Sequence, residues 1–189
     1  REHPNEASGA FAVQGAARFL AGKDAPKAWL QRYVFHCIPN VNPDGVANGT
    51  KLTQPGPVAK YDIVRAGLTS DDPTIKAYRE FLFDVRPDVF IIHHAYLFSS
   101  PFIGVFEKTV GMDMLDHLLG SDSIHDTSWV FRLSGKESSY LRYECFRRFG
   151  TTSAITELPW QGRMPKDIEK QGVDTLVALM KAHEKKLRQ

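Results

Sequence analysis

Pro87-Asp88-Val89-Phe90-Ile91-Ile92-His93-His94 is the stretch on which the fold turns. Four successive apolar residues, aromatic or β-branched, follow a proline and end in two histidines. A strand apolar on both faces belongs inside a sheet that is covered on both sides, the pattern of parallel α/β architecture. Immediately upstream, Asp71-Asp72-Pro73 carries an N-cap aspartate and a first-turn proline. The helix that follows puts Ile75, Tyr78, Leu82 and Val85 on one face and stops at Arg86-Pro87.

Further out, residues 7–21 read as a helix rich in small residues, with Gly22 as its stop, and 25–31 as a shorter one. Tyr33 to Ile38, compact and aromatic, reads as a second buried strand. Residues 39–70 hold Pro39, Pro43, Gly45, Gly49, Pro55, Gly56 and Pro57 without an apolar period, so a long loop is expected there, of the kind usually tied to function. Met112 to Leu119 reads as a helix, Ser128 to Leu133 as a strand, Glu137 to Phe149 as a helix and Thr151 to Leu158 as a strand. A closing helix carries Val173, Leu176, Val177 and Met180 on its apolar face. Alternating elements of this kind give an α/β fold with a mixed, largely parallel twisted sheet covered by helices on both faces.

The 189 residues carry 24 Lys+Arg against 22 Asp+Glu, a net charge of +2. That balance leaves no electrostatic footprint for nucleic acid or an anionic membrane. No apolar run approaches the roughly 18 residues needed to span a bilayer. At 42% hydrophobic residues the composition is globular, and one domain over 1–189 is expected. Cys37 and Cys145 cannot form a disulfide framework; each lies in an apolar stretch and reads as a buried free thiol, which leans towards a reducing, cytoplasmic setting.

Four places carry residues with chemistry in them. In His3-Pro4-Asn5-Glu6 an imidazole and a carboxylate three apart, at a helix start, can converge on one ion; the plainer reading is a polar helix start. His93-His94 ends a buried strand, where ligands gather in open α/β sheets, but alternation lets only one of the pair face a given site. Glu157 sits near the end of an otherwise neutral strand, so it is paired with a cation such as Arg163, solvated, or catalytic. Asn42-Pro43-Asp44-Gly45 packs turn formers right after a strand, and Asp44 is placed to accept a hydrogen bond from a ligating imidazole.

Taken in order, His3-Pro4-Asn5-Glu6, Asn42-Pro43-Asp44-Gly45, Pro87 to His94 and Thr156-Glu157-Leu158 resemble the zinc metallocarboxypeptidases, a family whose fold is shared with succinylglutamate desuccinylase and aspartoacylase-type deacylases. The resemblance implies a carboxypeptidase-like fold, one zinc ion held by His3, Glu6 and His94 rather than His93, and Glu157 as the catalytic carboxylate. It also implies a peptide substrate or, for an amidohydrolase of the same chemistry, a small N-acyl amino acid or a cell-wall peptide. Its arginine for the substrate carboxylate falls on Arg65 in Asp62-Ile63-Val64-Arg65, where Val64 departs from the family's asparagine. Lys51 is the positional match for the carbonyl-polarising arginine, and Tyr140 or Tyr143 for the tyrosine preceding the glutamate. Val64 keeps a non-catalytic binding domain in view as an alternative to amide hydrolysis. In the family an upstream strand precedes the first motif, so the expectation is a domain whose first strand or strands lie ahead of Arg1.

Overall fold

In the computed structural model, residues 2–3, 6–49, 67–96, 101–120, 129–135, 140–159 and 163–189 are described. Among them, β1 (Val89–Tyr96), β2 (Phe102–Val105), β3 (Val130–Leu133) and β4 (Thr152–Pro159) form a single sheet in the order β1-β4-β2-β3. β1 and β4 run parallel, as do β2 and β3, while β2 and β4 are antiparallel. The sheet is therefore mixed, as expected.

Helices cover both faces. On one side lie α1 (Ala7–Ala21), α5 (Lys108–Gly120) and α7 (Pro165–Lys186), whose Ala12, Met114, Leu118, Ala178 and Leu179 pack with Ile103, Ala154 and Leu158 of the strands. The other side carries α4 (Pro73–Val85) and α6 (Leu141–Phe149), where Ile75, Tyr78, Leu82, Leu141 and Cys145 close over Phe90. α2 (Lys27–Arg32) and α3 (Pro43–Ala47) are short. The start of α4 follows its sequence signal: Asp72 Oδ1 accepts from the amides of Thr74 (3.0 Å) and Ile75 (3.3 Å), satisfying donors that a helix start otherwise leaves unpaired. α1 lies directly on β1 because Gly9 has no side chain; a Cβ there would overlap the His93 carbonyl oxygen. That close approach fixes the start of α1, and with it Glu6, beside the end of β1.

Two expectations are corrected, and one strand is added. Tyr33 to Ile38 is not a strand among the described residues: Tyr33 and Phe35 pack inward beside Trp29, while Val34 is 83% exposed. The run has the alternation of a strand without a hydrogen-bonded neighbour, and a cavity of about 450 Å³ lies between it and β1. Cys37 is exposed for the same reason, whereas Cys145 is buried as expected. The added strand is β2, which the sequence does not announce, since four residues interrupted by Gly104 are too short to show a period. Within the expected 39–70 loop, Asn42 caps α3 by accepting from Gly45 N at 2.9 Å, and residues 50–66 lie outside the described residues.

Candidate metal centre

The two histidines ending β1 part company because side chains alternate along a strand. Val89 and Ile91 pack into the α1/α7 side and Phe90 into the α4/α6 side, so His93 follows the former and His94 the latter. Parallel register places His93 opposite Thr156 and His94 opposite Glu157. His93 Nδ1 accordingly meets Thr156 Oγ1 at 2.8 Å. Burial pushes its pKa down to about 3, and it is neutral at ordinary pH.

His94 faces a set of charged neighbours. Its Nδ1 lies 2.8 Å from Glu6 Oε2, and the other oxygen of the same carboxylate lies 2.7 Å from His3 Nδ1. The Ala95 amide donates to Glu6 Oε2 at 3.1 Å, anchoring the carboxylate to β1. The two imidazoles stand edge to face with centroids 4.7 Å apart. On its far side, His94 Nε2 donates to Glu2 Oε2 at 3.2 Å. Burial disfavours charge on His94, but the hydrogen bonds to Glu2 and Glu6 outweigh it and raise its pKa to about 10. Burial likewise opposes ionisation of Glu6, and the His3 and His94 contacts overcome it, holding the carboxyl well below its usual range.

One ligand atom from each of His3, Glu6 and His94 falls within 4.8 Å of the others. Two imidazole nitrogens and one carboxylate oxygen, drawn together from the start of α1 and the end of β1, are the donor set of a three-ligand zinc site with an open position for water. Both Nδ1 atoms already converge on the carboxylate, so the residues present fit such an ion. Glu157 is half-buried, one strand over from His94 and on the same face of the sheet, at the roughly 4.8 Å spacing of neighbouring strands.

The remaining expected residues divide. Lys51 and Arg65 lie outside the described residues, as does Val64. Tyr140 is half-buried at the N-cap of α6. Tyr143 packs its ring on Phe106 (5.4 Å) and Phe146 (6.3 Å). Asp44 is exposed on α3, and the imidazole hydrogen-bond acceptor that the sequence reading assigned to it is found instead at Glu2.

Glu2, Tyr78 and Arg142 escape the sequence reading. Glu2 is 4% exposed, and burial together with its carboxylate raises the pKa of the Tyr78 phenol on α4 well above its usual value. Arg142, also buried, donates to Gly104 O (3.2 Å), Ser153 Oγ (3.4 Å) and Ser134 Oγ (2.6 Å) and lies over the Phe106 ring. Burial lowers its pKa to about 10. A glutamate among polar N-terminal residues gives no sign that α4 and β1 will enclose it. An arginine in Leu141-Arg142-Tyr143 looks like one more charge on an exposed helix.

The sheet and its covering helices have the arrangement found in solved metallo-carboxypeptidases. A metallo-carboxypeptidase from Burkholderia cenocepacia superposes with a TM-score of 0.79 at 20% identity, over 99% of this chain and 56% of that one. Murine aminoacylase 3 shares the fold at a TM-score of 0.60 and 16% identity, over 96% of this chain and 61% of its own. In sequence, 50 residues are 40% identical to cytosolic carboxypeptidase 1 of Xenopus laevis, which is 26% of this chain and 4% of that protein. The chain thus spans a little over half of the solved carboxypeptidase and matches a small part of the curated relative. No protein-family model matches it.

Proposed function

We propose that this chain is the metal-binding part of a zinc-dependent hydrolase of the metallocarboxypeptidase type, which cleaves an amide bond and releases a C-terminal residue from a peptide. The observation that carries this reading is the convergence of His3, Glu6 and His94 with Glu157 in register beside them. A zinc ion bound by the three side chains supplies Lewis acidity and brings the pKa of a water towards neutrality. Glu157 is the group that takes the proton from the attacking water and returns it to the leaving amine nitrogen. Glu6 at the N-cap of α1 and His94 on β1 put their donor atoms on rigid elements, and His3, ahead of α1, is tied to Glu6 by the bond from the Glu6 amide to its carbonyl. Arg65 is the residue assigned to the substrate's terminal carboxylate, through a bidentate contact, with Lys51 and Tyr140 or Tyr143 at the scissile bond.

The second reading is a deacylase acting on a small N-acyl amino acid, favoured by the shared fold of murine aminoacylase 3. Turnover of peptides with free and amidated C-termini separates the two: the exopeptidase requires the free carboxylate and the blocked peptide stays intact. Within either reading, Glu157→Gln is expected to keep zinc and to lose about 10²–10⁴-fold in kcat. Full activity in Glu157→Gln overturns the assigned mechanism.

A further inference from the structure

The far side of His94 holds a buried chain of polar groups that the proposed hydrolysis does not itself use. His94 Nε2 donates to Glu2 Oε2 at 3.2 Å, with the two side chains 4% and 5% exposed. Tyr78, 8% exposed on α4, lies within electrostatic reach of the same carboxylate. An imidazole whose Nε2 carries the proton presents Nδ1 as its lone pair, and Nδ1 is the atom that faces Glu6 and His3. The tautomer and ring orientation of a ligating histidine are set by what its other nitrogen bonds to.

The geometry points to Glu2 as the positioning residue of the metal centre: it holds the proton on His94 Nε2, so that Nδ1 is free to take a zinc ion. This rests on the zinc reading above. Glu2 does not ligate; its contact is with the nitrogen pointing away from the His3–Glu6 cluster. As an anion behind the imidazole it also raises the ring's basicity as a ligand, and with Glu6 it provides a second negative charge against the +2 of the ion. Two carboxylates and two neutral imidazoles then leave the buried centre without net charge once the ion is in place.

The test is titration of metal-free protein with Co(II) and Zn(II), following the Co(II) visible spectrum and the dissociation constants. Wild-type protein that fails to bind one equivalent defeats the zinc reading itself, before Glu2 is at issue. With wild-type binding established, Glu2→Leu is expected to weaken both metals by 10–100-fold and to alter the Co(II) spectrum. Glu2→Gln, whose amide oxygen still accepts from Nε2, is expected to restore most of that affinity and the wild-type band shape. Tyr78→Phe, which leaves Glu2 in place, is expected to cost less than Glu2→Leu. Glu2→Leu that is folded by circular dichroism and binds Co(II) with wild-type affinity and spectrum overturns the assignment. So does a Glu2→Gln no better than Glu2→Leu, because the hydrogen bond would then not be what matters.

Discussion

His93 and His94 are adjacent in sequence, equally buried, and chemically identical, yet their surroundings push their pKa values in opposite directions. His93 turns to the side packed by α1 and α7, meets one hydroxyl, and is held neutral by burial. His94 turns to the side packed by α4 and α6 and meets two carboxylates, whose hydrogen bonds raise its pKa against the effect of burial. The environment on either side of one strand decides what an imidazole can do, and the pleat decides which environment each residue receives. The same division extends along the sheet. Thr152 and His183 bond each other on the His93 side, where hydroxyls satisfy buried imidazoles. On the His94 side Arg142 and Glu2 bring full charges inside.

The largest expected effect breaks the pair apart. His94→Ala is expected to weaken zinc binding by more than the 10–100-fold typical of outer-shell changes, whereas His93→Asn is expected to leave it within about threefold, both read by metal titration. Comparable losses in the two variants would dissolve the contrast. Arg142→Leu strips partners from Gly104 O and two serine hydroxyls, and is expected to cost about 3 kcal/mol in denaturant unfolding. A loss under about 1 kcal/mol would place Arg142 outside the core of the polar side. His93→Asn, which can keep a hydrogen bond to Thr156 while giving up ring packing, is expected to cost about 1 kcal/mol in the same assay.

The smallest effect concerns acid. Burial holds the His183 pKa below its usual value, with Asp88 and Glu184 opposing and Lys186 and Arg32 reinforcing the shift. The unfolded chain therefore takes up this proton first as pH falls. Its cost to stability is absent above the unfolded pKa of about 6.5, grows as pH falls below that value, and levels off below the depressed folded pKa. Unfolding curves of metal-free wild type and His183→Gln are expected to diverge below about pH 6.5, with wild type the more acid-sensitive. Parallel curves would show that His183 is not held neutral.

Much of this was legible in the sequence. The both-faces-apolar run at Val89 to Ile92 announced a covered sheet, and the Asp72-Pro73 start announced α4. Alternation alone says that His93 and His94 face apart, and it is His94 that lies beside His3 and Glu6. What the sequence hid depends on contacts distant along the chain. Tyr33 to Ile38 has strand composition, but pairing needs a neighbour. Glu2 looks like solvent-facing charge until α4 and β1 enclose it. Asp44 has the chemistry to accept from an imidazole, and only three-dimensional placement shows it exposed while His94 Nε2 donates to Glu2.

Zinc K-edge absorption fine structure on zinc-loaded wild-type protein tests the central claim most directly. The account predicts one zinc per chain with two imidazole nitrogens at about 2.0–2.1 Å, carboxylate and water oxygens at about 2.0–2.2 Å, and no sulfur. A thiolate scatterer near 2.3 Å, a single imidazole, or a chain that takes up no zinc would contradict it.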